Sequence, residues 1–194
     1  MRKKSIFVAG ISGVALLLLA CAGAAEPAYQ VVSAARISPG SPIAPPAGEV
    51  ILTISGDIGI TNVGDTLQLD MPTLESLGLV EYAVTDPYRI DEDGQLEQIT
   101  YTGVLMSRLR EYLGVPESSK AFHIVALDDY RVDLSIALAE RWPILLATRS
   151  DGEYMSVENS GPTRIIFPYD NFKEIDQVKY NPQWIWNIES MRID

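Results

Sequence analysis

Ala121-Phe122-His123-Ile124-Val125-Ala126-Leu127-Asp128-Asp129-Tyr130-Arg131-Val132-Asp133-Leu134 is the stretch that decides the fold class. Its first half is apolar enough for a central strand, with Phe, Ile and Val in the positions a pleated sheet favours. Asp128-Asp129 makes a turn, although Asp-Asp is a weaker hairpin signal than Asp-Gly. Tyr130 to Leu134 returns as the second strand.

Working outward, the same logic yields more strands than helices. Val50–Ile54, Asp65–Asp70, Tyr82–Thr85 and Gln98–Thr102 read as strands, the last broken by Gly103. Ile144–Arg149 reads as a buried strand turned by Asp151-Gly152, Thr163–Pro168 as another, and Trp184–Met191 alternates toward the C-terminus. Met71–Leu77 is a short helix with Pro72 in its first turn and Gly78 beyond its end. Val104–Leu113 places apolar residues at 105, 106, 109 and 113, which is helical spacing; Gly114 caps it and Pro116 stops it. Ser135–Glu140 is a third helix. About nine strands and three short helices, without internal repeats, define an α+β domain with a mixed sheet or barrel-like core.

The N-terminus reads differently. Arg2, Lys3 and Lys4 precede an apolar run from Ile6 to Ala20, then small residues, as in an export signal over residues 1–21. Two cleavage positions fit. Leu18-Leu19-Ala20-Cys21 resembles the lipobox of bacterial lipoproteins, with Cys21 as the lipidated residue; Ala22-Gly23-Ala24 is an A-x-A site that would free a soluble protein. Either places the protein in the periplasm. Residues 22–47, with Pro27, Pro39, Pro42, Pro45 and Pro46, read as a flexible linker or, alternatively, an arm packed on the domain of residues 48–194.

Fifteen basic and twenty-six acidic residues give a net charge of −11. Three of the basic residues lie in the export segment, so the remainder carries 12 against 26, about −14. Such a surface repels phosphate backbones and anionic lipid, which argues against a nucleic-acid partner and against membrane contact other than through a lipid on Cys21. Cys21 is the single cysteine, so residues 22–194 hold no disulfide and no thiol nucleophile. G-x-S-x-G, H-E-x-x-H, P-loop and G-x-G-x-x-G motifs are all missing. One histidine, His123, cannot build a triad or a histidine metal cluster, and reads as a satisfied strand residue. A carboxylate-only metal site is compatible with the composition. Asp91-Glu92-Asp93-Gly94 lacks the rest of the EF-hand spacing and reads as a solvated turn.

Four segments carry a family resemblance when taken in order. They are Tyr101-Thr102-Gly103-Val104-Leu105; Asp128-Asp129-Tyr130-Arg131-Val132; Leu145 through Met155, which includes Arg149; and Gly161-Pro162-Thr163-Arg164-Ile165-Ile166-Phe167-Pro168-Tyr169-Asp170. Over roughly residues 50–193 the chain resembles the sulfite-oxidase-type molybdopterin-binding domain. There the segments read approximately aromatic-x-G-V-x-L, D-G-Y, L-A-x-x-x-x-G-x-x-L and G-x-P-x-R-x-x-x-P. The resemblance implies a mixed α+β sulfite-oxidase-type fold. It also implies a cysteine thiolate to molybdenum ahead of the Tyr101 segment, yet Tyr82–Arg89 contains no Cys. Neither Thr85 nor Asp86 replaces a soft thiolate, so the family's redox chemistry does not carry over with the fold.

The short, exported, cysteine-less branch of that family resembles pterin-binding sensor proteins that signal to membrane-bound enzymes of cyclic-di-GMP turnover. The resemblance thus implies a pterin ligand, reduced or oxidised, without molybdenum and without catalysis, and a partner with a periplasmic domain. Two other readings stand beside it: a molybdopterin oxidoreductase with a non-cysteine metal site, and a lipid-tethered interaction module with an empty pocket. A pterin needs an aromatic or guanidinium plane to stack on and a carboxylate for its amino-pyrimidinone edge. The matching loops offer Tyr88, Arg149, Arg164, Tyr169, Asp170, Trp184 and Trp186. Each has a plainer role. Trp184 and Trp186 share strand parity and would face the same way, as core packing or as a ligand shelf. Arg164 sits between apolar strand residues, suited to a buried salt bridge or to ligand contact. Asp170 follows Pro168-Tyr169 on a loop, as a turn-former or a site residue.

Overall fold

The computed structural model describes residues 28–194; the stretch that reads as an export signal, with its two expected cleavage positions and Cys21, lies outside them. Eleven strands and four short α-helices are present among the described residues: β1 (Gln30–Ser33), β2 (Leu52–Gly56), β3 (Leu67–Leu69), α1 (Met71–Glu75), β4 (Leu79–Ile90), β5 (Leu96–Leu105), α2 (Met106–Leu113), β6 (Ala121–Ala126), β7 (Arg131–Ser135), α3 (Ile136–Arg141), β8 (Leu145–Ser150), β9 (Glu153–Tyr154), β10 (Arg164–Ile166), α4 (Gln177–Tyr180) and β11 (Ile188–Ile193).

They form two open sheets. One runs β1-β4-β5-β8-β10 with β9 beside β8; the other runs β3-β2-β11-β6-β7. Pairing is antiparallel except for β11 against β2, so the domain is mixed but no sheet closes into a barrel among the described residues. The C-terminal strand lies between β2 and β6, which fixes the second sheet only when both ends of the domain meet. Alternation in β6 buries Phe122, Ile124 and Ala126 and leaves His123 half-exposed, as the opening stretch requires. One continuous apolar cluster, including Leu52, Ile54, Phe122, Leu146, Ile165 and Trp184, joins both sheets to the helices. Each fully buried Leu, Ile or Phe contributes about 1.5–3 kcal/mol.

Helix α2 matches its spacing: Met106, Leu109, Tyr112 and Leu113 are buried, and Gly114 takes the left-handed cap at φ 62°. The other helices differ in detail. Asp70 caps α1 by accepting the Thr73 N–H at 3.0 Å, and α4, capped by Asp176, has no counterpart in the sequence pattern.

Three expectations are corrected. Gly103 does not break a strand: β5 runs through it. A Cβ there would stand 2.2 Å from the Leu146 carbonyl oxygen, so the glycine permits close approach to β8 where the register shifts. Residues 30–47 are not a free linker. β1 pairs with β4, Ile43 is buried, and the N–H groups of Ala47 and Gly48 donate to Asp70 at 3.1 and 3.0 Å. Trp184–Met191 is not one strand, because a 3₁₀ turn over Asn181–Gln183 and a positive φ of 52° at Asn187 delay regular pairing until Ile188.

His123 bridges two chain-distant acids: Nδ1 lies 2.6 Å from Asp133 and Nε2 lies 2.8 Å from Asp194. Asp194, then Asp133, holds the imidazolium above its ordinary value of 6.5. Stability from this bridge is complete below 6.5 and is lost as pH rises through the elevated folded value. NMR titration should place the His123 midpoint above 6.5, and His123→Gln should remove that part of the pH dependence of denaturant midpoints.

Candidate functional site

The site begins with an irregularity in β4. Thr85 pairs with Gln98 and Ile90 with Leu96, so five residue steps on β4 face two on β5. Pro87, which has no N–H for the ladder, lies inside this bulge. Asp86 follows Tyr82 and Val84 onto the inward face by strand alternation and is fully buried, whereas Tyr88, within the bulge, is exposed.

Asp86 meets Arg164 of β10 and Tyr101 of β5. Arg164 Nη1 lies 3.1 Å from Asp86 Oδ2 and donates to the Tyr101 hydroxyl at 2.9 Å. Tyr101 donates to Asp86 at 2.5 Å. Burial pushes the Tyr101 phenol well above its usual range, opposed by Arg164 and reinforced by Asp86, so the phenol stays protonated and serves as donor. All three side chains are buried, but Arg164 Nε and Nη2 have no hydrogen-bond partner. Aromatic rings stand around the guanidinium: Tyr101, Trp184 and Trp186 centroids are 5.2, 5.6 and 5.9 Å from its Cζ.

A cleft of about 150 Å³ opens beside this cluster, lined chiefly by Tyr88, Asp128, Tyr130, Pro182, Trp184 and Trp186. The Tyr88 ring meets Trp186 edge to face, 5.3 Å between centroids at 68°. The Tyr88 hydroxyl donates to the Asn181 carbonyl at 2.7 Å, and that of Tyr130 to the Pro182 carbonyl at 3.0 Å. Burial, then Tyr130 and Asp86, push the Tyr88 phenol up. The exposed Asp128 carboxylate accepts the Tyr130 N–H at 3.1 Å and stands at the rim.

The candidates from sequence separate. Tyr88, Trp184 and Trp186 line the cleft, with Arg164 behind them. Trp184 is buried and Trp186 is 38% exposed, yet both rings stand over the Arg164 guanidinium and both line the cleft. Tyr169 lies beneath, its ring 5.2 Å from Trp184, with a buried hydroxyl that has no partner. Arg149 is elsewhere: its Nε and Nη2 hold Glu75 at 3.0 and 2.7 Å. Asp170 is also elsewhere, accepting the Thr85 N–H at 2.6 Å and hydroxyl at 2.9 Å. Burial works against the Asp170 carboxylate, but Thr85 and Lys173 hold its pKa below the ordinary value.

Sequence reasoning passed over Asp86, Tyr101, Asp128 and Tyr130. The last two were visible in Asp128-Asp129-Tyr130, read as a turn. Asp86 has no local signal, since its partner is 78 positions away at Arg164.

The stretch in which the resemblance places a thiolate ligand, Tyr82–Arg89, holds no Cys, and its Asp86 is already engaged by Arg164 and Tyr101. No group of three or more His, Cys, Asp or Glu side chains is placed to hold a metal among the described residues. Asp86, buried and engaged by Arg164 and Tyr101, does not fit as a replacement molybdenum ligand.

No family model matches the chain, and no curated protein matches it in sequence. Among solved structures, the fold is similar to that of the sulfane dehydrogenase SoxCD from Paracoccus pantotrophus, at 16% identity and a TM-score of 0.54. The similarity covers 73% of this chain and 37% of that one, so the chain spans little more than a third of the protein it resembles. The class defined is a strand-rich α+β domain of two open sheets, with the fold of part of a dehydrogenase. At this identity the likeness concerns fold, and function rests on the site.

Two substitutions should separate architecture from site. Arg164→Met leaves Asp86 buried and uncompensated, and denaturant unfolding should show a loss of about 3–5 kcal/mol. Asp170→Ala removes the acceptor of Thr85 and should lower stability by about 1–3 kcal/mol, while leaving the cleft intact.

Proposed function

We propose that this chain is an exported, non-catalytic protein that binds a pterin in the Tyr88–Trp186 cleft and passes its occupancy to a membrane-bound partner of cyclic-di-GMP turnover. The observation that carries the reading is the cleft's chemistry. Tyr88, Tyr130 and Trp186 supply aromatic surface, and the Asp128 carboxylate stands at the rim. A pterin is a flat, polar bicycle smaller than a drug-sized ligand, so a cleft of about 150 Å³ suits its ring better than a full cofactor. Stacking against the aromatic walls holds the plane. Two parallel N–H bonds from the amino-pyrimidinone edge to Asp128 would set its orientation. Arg164, behind Trp186, makes the aromatic wall electrostatically complementary to an electron-rich ring.

The non-catalytic part of the reading rests on Asp86. A buried carboxylate closed by a guanidinium and a phenol is neither a nucleophile nor an open ligand position. An oxidoreductase would need its metal held by other residues.

Calorimetric and tryptophan-fluorescence titrations with oxidised pterin and tetrahydropterin test the reading. At least one should bind and quench tryptophan emission. Trp186→Ala and Asp128→Asn should each weaken binding about tenfold or more, about 1.4 kcal/mol, whereas folded Asp170→Ala should bind as the parent does. Absence of binding by every pterin removes this function. Stoichiometric molybdenum in protein isolated from its native compartment would replace it with the oxidoreductase reading.

A further inference from the structure

Beyond the bulge that forms the cleft, β4 and β5 continue as a projecting arm. Every residue from Tyr88 to Leu96 is exposed. Ile90 and Leu96 sit directly opposite each other across the two strands, so their side chains share one face. They are 65% and 50% exposed. An isolated exposed apolar residue needs no explanation, but two aliphatic side chains set side by side on a projecting hairpin form a patch.

The arm is held in shape. Asp91 Oδ1 accepts the N–H groups of Asp93 and Gln95 at 2.9 and 2.8 Å. The Asp91 N–H donates to the Gln95 carbonyl at 2.8 Å, and the Gly94 N–H to the Asp91 carbonyl at 3.1 Å. A surface organised before contact loses less entropy on binding than a loop that must be ordered.

Its charge is one-sided. Arg89 is neutralised by Glu97 at 3.2 Å, and Asp91, Glu92 and Asp93 remain at the tip. An aliphatic pair capped by three carboxylates complements an apolar hollow rimmed by Lys and Arg. The same charges repel anionic lipid and a second copy of this acidic chain.

We infer that the Tyr88–Glu97 arm is the docking surface for a partner protein, whose receiving site is an apolar hollow with a basic rim. The inference rests on the proposed function only for what the partner does with the contact. Tyr88 supplies the connection: it lies two residues from Ile90, forms a wall of the cleft and anchors Asn181. A ligand that displaces or fixes Tyr88 therefore acts on the strand that carries the docking face.

The test is site-specific photo-crosslinking of the full chain in its own cells, with the crosslinking residue at Glu92 and a control at Val178, which is 88% exposed on α4. The expected result is one protein adduct from position 92 and none from 178. Mass spectrometry should find its crosslinked peptide rich in Lys or Arg around apolar residues. Ile90→Ser with Leu96→Ser, or Glu92→Lys with Asp93→Lys and the crosslinker moved to Gln95, should reduce the adduct at least tenfold. Thermal midpoint and pterin titration should stay as in the parent. A lipid adduct, a dimer of this chain, the same adduct at both positions, or an adduct indifferent to these substitutions overturns the docking surface, as does no adduct. If pterin does not bind but the adduct forms and is lost in the arm variants, the ligand reading falls and the docking surface stands. If pterin binds and no adduct forms, the docking surface falls alone.

Discussion

Arg164 carries a full charge inside the apolar cluster, and the first sheet is arranged around that fact. Its counter-charge, Asp86, comes from β4, and the phenol that bridges them comes from β5. Taking both ions out of water costs several kcal/mol per ion unless the geometry and the accompanying hydrogen bonds are good. Ordinary alternation in β4, which also buries Tyr82 and Val84, presents Asp86 to the interior, and the ladder loses register only beyond Thr85. Two guanidinium N–H groups have no protein partner and face the aromatic rings of Tyr101, Trp184 and Trp186.

The same arginine ties the two sheets together at the cleft. Trp184 and Trp186 stand over it on the segment that leads into β11, the strand at the centre of the second sheet. Arg164 and Trp186 also share an isolated backbone bridge, and the Ile165 N–H donates to the Ile185 carbonyl at 2.8 Å. The cleft walls are therefore placed by a charged group they do not expose. Tyr88 and Tyr130 complete the placement from opposite sheets by holding the carbonyls of Asn181 and Pro182. A cleft braced by both sheets in this way is largely formed before any ligand arrives.

Local patterns in the sequence carried much of the architecture, and long-range pairings carried the site. The Ala121–Leu134 hairpin, the buried stripe of α2 and its Gly114 cap are set by residues a few positions apart, so they are legible from sequence alone. Gly103 misled because glycine weakens a strand by propensity, whereas here it relieves a contact with β8 that only the paired sheet creates. The Trp184–Met191 alternation misled because the positive φ at Asn187 interrupts it and regular pairing starts only at Ile188. The proline-rich stretch ahead of residue 48 looked free because its own composition builds no core, yet the pairing of β1 with β4, the burial of Ile43 and the bonds to Asp70 hold it. For Arg164 the sequence left a buried salt bridge and ligand contact as alternatives; the structure shows the salt bridge, whose partner Asp86 lies on another strand and leaves no spacing to detect.

A fold can be kept while one interior position changes its chemistry. The fold likeness to part of a sulfane dehydrogenase concerns sheets and helices, which depend on the apolar cluster and survive changes at one position. The position implied for a thiolate is different in kind. A thiolate facing a metal must stay open to it, whereas Asp86 must be closed, because an unpaired carboxylate at full burial is unstable. With Asp86 paired to Arg164, the rings of Trp184 and Trp186 stand over the guanidinium, so the ion pair that fills the interior also places the cleft walls outside it.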